Sequence, residues 1–438
     1  MSRHIMAAFM LALAALLAVP ATAQQPVEVT FWYSHSNPVD VAAIEEIISG
    51  FNASHPNIVV KGVQVPGSET DATRLMTAVR GGIGPDVYLL DRFTVAQRAQ
   101  AGLLTDLTGF IQASGTTVEE FAQQYLDWAW AEALYNGKVY ALPWDADGRA
   151  LYYRKDLLRA AGFDPNEFDP ANGPITPERL KEVAFALNEK DQTGAYTRIG
   201  FIPSFEQGWH YTWGFAFGGK FYDPATRKVT PTDPGVVAGF RFLYDWNKDL
   251  GFQAAQTFVN TYWGWPDAGG LSPAMNPFFT GRTAFWVSGD WLISQIAQYA
   301  PNIEYGITYL PSPDGTPRSW SGGWSVVIPA GAKHPEEAFE FMKYFAGEPG
   351  QRVYLTRTHH LPTIVSLLHN DELYTEEHQF FKDLLPYSTA RPVLPVGALY
   401  WDELTKAQEK VLLGAATPEE ALRAVYDRVQ PQLERAMR

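Results

Sequence analysis

Gly289-Asp290-Trp291 sets a carboxyl and an indole side by side, just after Phe279 to Val287, a segment that reads as a short apolar strand running into a turn. A carboxylate accepts hydrogen bonds from ring hydroxyls, and a flat aromatic face covers the apolar C–H face of a sugar. Trp291 is therefore a candidate stacking platform. Asp290 has two readings: a hydroxyl acceptor, or the cap of the helix that begins at Leu292, since Asp is favoured at that position.

The same chemistry recurs along the chain. In Gly322-Gly323-Trp324 the paired glycines, Gly323 among them, allow close backbone approach to a ligand, and Trp324 adds an aromatic face. Asp145 and Asp147 stand two apart, a spacing that puts both carboxyls on one side of an extended segment. Trp32, His35 and Ser36 lie where a first strand meets a first helix, although Ser36 or Asn37 would serve equally as that helix's cap. Asp91 ends a third strand at the same edge. Trp209 and His210, then Trp263 and Trp265, are aromatic candidates in loops rich in Gly and Pro. Arg391 can donate two hydrogen bonds to vicinal hydroxyls or to an anion. Tyr400-Trp401 offers one more stacking ring, with either residue able to face a ligand.

Paired acids and tryptophans also serve glycoside hydrolysis, with Asp290, Asp147 and Asp145 as conceivable acid and nucleophile. Against it, the chain has no Gly-x-Ser-x-Gly, His-Glu-x-x-His or Walker sequence, and His359-His360 and His369 lack a metal-site spacing. No catalytic activity, cofactor or metal is expected. The absence of cysteine excludes disulfides, thiolate nucleophiles and Cys-ligated zinc. A net charge of −14 argues against nucleic acid or an anionic membrane as partner. A core can use some of the fourteen tryptophans, but each indole N–H needs a partner when buried, so their number points to stacking surfaces as well as packing.

The elements that must position these residues alternate. Val27 to Tyr33 reads as a strand, Val39 to Asn52 as a helix with Val41, Ile44, Ile47, Ile48 and Phe51 on one side, and Asn57 to Val65 as a second strand. Thr70 to Gly81 reads as a second helix and Pro85 to Asp91 as a third strand. This order predicts an α/β fold with a mainly parallel sheet whose ligands bind at the strands' carboxyl ends. A second α/β region follows Tyr135-Asn136-Gly137-Lys138, Trp324 to Pro329 is a further strand, and the last third is helical. At the start, Arg3 and His4, an apolar run from Ala7 to Val19 and Ala21-Thr22-Ala23 form a secretory signal peptide over residues 1–23. With no cysteine at the cleavage site, a freely diffusing periplasmic protein is expected.

Four segments in this order resemble the carbohydrate-binding branch of the ABC-transporter solute-binding proteins. They are Gly84 to Val87 with Asp91-Arg92-Phe93, Tyr135 to Lys138 through Tyr152 to Leu157, Phe279 to Trp291, and Gly322 to Pro329 with the helix from His334. The resemblance runs from residue 27 to the end. It implies two lobes, each a mainly parallel sheet flanked by helices, built from residues 26–146 with 309–346 and from 147–308 with 347–438. The crossings near Asp147, Thr308 and Gly347 would form a hinge. In a gapless comparison from Pro143 to Lys155, Asp147 falls where the family places a sugar-binding carboxylate. The implied function is that a sugar, mono- or oligosaccharide, is captured by a monomer between the lobes and delivered to the transmembrane subunits of an ABC permease. A polyol phosphate such as glycerol-3-phosphate is the alternative ligand, because Thr30 to His35 resembles that subgroup's opening and Arg391 could meet a phosphate.

Overall fold

The computed structural model describes residues 25–66, 73–263 and 273–438. The expected signal peptide and Trp265 lie outside them. Two separate cores organise the chain. The first is built on a five-stranded sheet in the order Ile58–Gln64, Val27–Tyr33, Val87–Asp91, Trp324–Val327 and Leu142–Pro143. Its first two pairings are parallel and its last two antiparallel. The second core surrounds a three-stranded sheet, Phe285–Ser288, Ala150–Arg154 and Tyr305–Thr308, in which both pairings are antiparallel. The α/β architecture in two bodies is as expected, but a mainly parallel sheet is present only in the opening β-α-β-α-β segment. A strand that returns from the other body arrives without a crossover helix and pairs antiparallel.

Local sequence accounts for the opening segment. Asn37 caps the helix Pro38–Ser54 by accepting from the Val39 amide at 3.0 Å, and Pro38 suits its first turn. Ile44, Ile47, Ile48 and Phe51 recur at helical spacing and are buried. In Val27–Tyr33 burial alternates: Val29, Phe31 and Tyr33 enter the core. Trp32 therefore takes the opposite face, in register with Val63 and Tyr88.

Packing changes body later in the sequence than expected at two crossings. Leu310 and Trp320 still belong to the second core, and the first resumes at Val326. The helix Glu348–Thr358 lies against Pro38–Ser54, and Tyr354, Ile364 and Leu367 are in the first core, so the crossing is not at Gly347. Phe381 restores the second. The cause is an apolar face on Glu348–Thr358 that the first body covers. Two short ribbons tie the crossings together: Asp145–Ala146 pairs antiparallel with Leu361–Pro362, and Ser319–Ser321 pairs parallel with Ser388–Ala390. Among the described residues no helix is long and apolar enough to cross a membrane.

Candidate functional site

A cavity of about 560 Å3 lies where the two bodies meet. Its walls come from the ends of the elements just described: His35 and Ser36 after the first strand, Asp91 at the end of the third, Asp147 and Arg149 on the first crossing, and Trp209, Trp291, Gly323, Trp324, Arg391 and Trp401. The lining thus includes ten of the sixteen residues singled out from the sequence, from segments over 350 positions apart.

The aromatic faces stand at different places around the cavity. Trp291 opens the helix Trp291–Tyr299, and its Nε1 donates to Glu206 Oε1 at 3.2 Å. Trp209 and Trp401 lean on each other with ring centroids 5.5 Å apart. Trp324 packs against the His35 ring at 4.5 Å. Between Tyr400 and Trp401 the helix Gly397–Leu412 decides: Tyr400 is buried with its hydroxyl donating to the Phe221 carbonyl at 2.9 Å, and Trp401 faces the cavity.

Two ion pairs line the floor. Asp91 accepts from Arg391 Nη2 at 2.5 Å and Asp147 Oδ1 accepts from Arg149. Asp147 Oδ1 also takes the Gly322 amide at 2.5 Å, so one carboxyl oxygen joins the first crossing to the returning strand. Trp320 lies under both guanidinium groups, with Arg149 Cζ 3.9 Å and Arg391 Cζ 5.1 Å from its ring centroid. Such stacking holds a planar guanidinium in place while its edge remains available for hydrogen bonds. The backbone of Gly323 has φ 137°, and a Cβ there would meet Arg92 Nη1 at 2.3 Å. Only glycine permits this close approach.

Five candidates do not reach the lining. Asp290 is fully buried and acts as a cap: its Oδ1 takes the Trp291 amide and its Oδ2 the Leu361 amide, both at 3.0 Å. Burial pushes its carboxyl well above the usual range. Asp145 sits behind Trp324, whose amide it accepts at 2.5 Å, and burial raises its carboxyl to about 8. Trp32 is on the far face of its strand. His210 is packed in the second core beneath Trp401, with Nε2 3.2 Å from Thr405 Oγ1, and burial holds its imidazole well below the ordinary value. Trp263 packs on Phe205 and Trp286 at 5.8 and 5.1 Å. In each case the residue type suits a ligand, but strand parity or core packing directs the side chain elsewhere.

The cavity also brings in residues that no motif announced: Asp40, Arg149, Glu206, Trp320 and His360. Arg149 and Trp320 stand within two residues of recognised positions, the only local signal for either. Glu206 adopts φ 46°, a conformation uncommon for a residue with a side chain. Burial raises its carboxyl to about 7, against the pull of Ser288, Trp291 and Arg149. His360 stacks between Trp291, at 5.4 Å, and Tyr354, at 4.9 Å, and burial lowers its imidazole to about 4. Among the described residues no group of acids, histidines or cysteines is arranged to hold a metal ion.

Comparison with known proteins supplies the family. The chain is 23% identical over 398 residues to a maltotriose-binding protein of Pyrococcus abyssi (strain GE5 / Orsay), an overlap of 88% of this chain and 77% of the relative. Its fold matches that of CpMnBP1 with mannobiose bound, with a TM-score of 0.79 and 24% identity over 92% of this chain and 99% of that one. It also matches UgpB from Mycobacterium tuberculosis in complex with glycerophosphocholine, with a TM-score of 0.73 and 22% identity over 94% and 99% of the two chains. Residues 35–352 match the bacterial extracellular solute-binding proteins, and the chain belongs to that family.

Proposed function

We propose that this protein captures a sugar in the cavity between its two bodies and presents it to the transmembrane subunits of an ABC importer, outside the cytoplasmic membrane and without chemical change to the cargo. The observation that carries this reading is the cavity wall itself. Trp209, Trp291, Trp324 and Trp401 offer faces for apolar ring surfaces, and the Asp91–Arg391 and Asp147–Arg149 pairs offer acceptors and donors for hydroxyls. Carboxylates already paired with guanidinium groups receive a neutral polyol without leaving a buried charge uncompensated. The lobes meet at the ribbons of Asp145–Ala146 and Ser319–Ser321, which supports closure about those crossings. Residues 1–23 would be removed on export, and the mature chain would act as a monomer.

Titration of the mature protein with mono- and oligosaccharides and glycerol-3-phosphate, followed by tryptophan fluorescence and thermal shift, tests the reading. A saturable response to a sugar that is recovered intact is the expected result. Response to the phosphate alone would establish the second reading, for which Arg149 and Arg391 at the cavity are the motivating observation. Turnover of a glycan would overturn both.

A further inference from the structure

Charge in the cavity does not balance. Among the described residues the lining holds four carboxyl groups, Asp40, Asp91, Asp147 and Glu206, against two guanidinium groups. Both guanidinium groups are taken by Asp91 and Asp147. Behind the wall, Asp145 and Asp290 add acids, whereas the Arg92 guanidinium is committed to Glu132 at 2.7 Å and to the carbonyls of Asp145 and Gly322. Asp40 is left without a cationic partner, and Glu206 has only the pull of Arg149, whose guanidinium is bonded to Asp147.

Asp40 shows this most clearly. It is 7% exposed, and its Oδ1 has no hydrogen bond. The nearest basic atom is His360 Nε2 at 4.0 Å, beyond hydrogen-bond reach. The other imidazole nitrogen, Nδ1, lies 3.6 Å from both Asp145 Oδ2 and Asp290 Oδ1 and is likewise without a hydrogen bond. Asp40 occupies the first turn of its helix, where the backbone dipole favours a carboxylate. Burial outweighs that help and raises the carboxyl to about 7. At the other end of the row Asp40, His360, Trp291, Glu206, the Glu206 carboxyl accepts from the indole N–H of the stacking ring.

Resting on the carbohydrate reading of the cleft, we propose that it selects a polyhydroxylated ligand bearing a protonated amine, whose charge is met by Asp40 beside His360, with Glu206 as the second carboxyl. Hydroxyls alone leave these carboxyls in the protonated form that burial favours, whereas an ammonium group can pair with the ionised form. Binding of the amine beside Asp40 then favours the ionised form of that carboxyl and releases a proton.

The test uses the mature protein and matched triples of sugars that differ at one carbon, with hydroxyl, amine or N-acetyl: glucose, galactose and mannose with their 2-amino and 2-acetamido forms, and the corresponding β-1,4-linked glucose and glucosamine oligomers. Titration calorimetry near pH 6, in two buffers of different protonation enthalpy, reads affinity and protons released. The expected result is that the amine member of one triple binds on the order of tenfold more tightly than its neutral counterpart, with proton release, as a charge-assisted bond implies. Asp40→Asn and Glu206→Gln keep the shape and remove that preference, with thermal melting as the check on folding. Preference for a neutral member, or binding of a neutral sugar outside the triples with no response to any amine, overturns the inference and leaves the sugar reading standing. Binding of glycerophosphocholine, added to the same titration, with no response to any sugar overturns the carbohydrate reading and the inference with it.

Discussion

At the scale of residues, neighbours in sequence separate into ligand wall and core. Tyr400 and Trp401 are the sharpest case. Tyr400→Phe removes one buried hydrogen bond to Phe221 and is expected to lower stability by about 1 kcal/mol with ligand affinity unchanged. Trp401→Ala is expected to lower both, because its ring faces the cavity and also packs on Phe93 and His210. Chemical denaturation and ligand titration of the two variants, side by side, check the split. Trp291→Ala removes a stacking face and the partner of Glu206, so a loss in affinity of about tenfold or more is expected. Retention of full affinity in that variant would remove Trp291 from the site.

At the scale of elements, the crossings carry the strain and the buried charge. Gly323→Ala places a methyl against Arg92 and the Asp145 carbonyl at a positive φ and is expected to destabilise by about 1–3 kcal/mol. Gly322→Ala meets only side-chain atoms of Arg391, Arg149 and Asp147 at 3.3–3.4 Å, so a smaller loss of stability and a clearer loss of affinity are expected. Thermal melting and titration separate these outcomes. Asp145 gives the ribbon a pH dependence. Burial raises its carboxyl to about 8, so its stabilising proton is fully held below the ordinary carboxylate range and lost as pH rises through about 8. His35 and His360, lowered by burial to about 3 and 4, act oppositely: the unfolded chain takes up their protons as pH falls below about 6.5. The ligand-free protein is therefore expected to lose Tm from pH 6.5 to 8, with Asp40, Glu206 and Asp290 adding to the same loss, and Asp145→Asn to reduce that slope. An unchanged slope in the variant would show that Asp145 is not the group responsible.

At the scale of the whole molecule, two cores meet along one cavity whose wall is drawn from both. A ligand that touches both bodies favours the closed arrangement only by its extra contacts there. The radius of gyration in solution scattering is expected to fall when a bound sugar saturates the site. Saturable binding with no change in scattering would mean that capture occurs without closure.

What the sequence determined by itself was local. The helix Pro38–Ser54 shows its cap, its proline and its apolar face within seventeen residues, and the strands around it alternate visibly. Trp291, Gly323, Trp324 and Asp147 stand in motifs short enough to be read directly, which is why they could be singled out and why they line the cavity. Only the tertiary structure decided which body covers Glu348–Thr358, that the second sheet is antiparallel, and that Asp290 caps a helix behind the wall. It alone brought Asp40, Glu206 and His360 into one row. Each of those residues is ordinary in its own segment, and their significance lies in burial and unpaired charge, which arise from chain segments up to 320 positions apart and leave no periodic trace in any one of them.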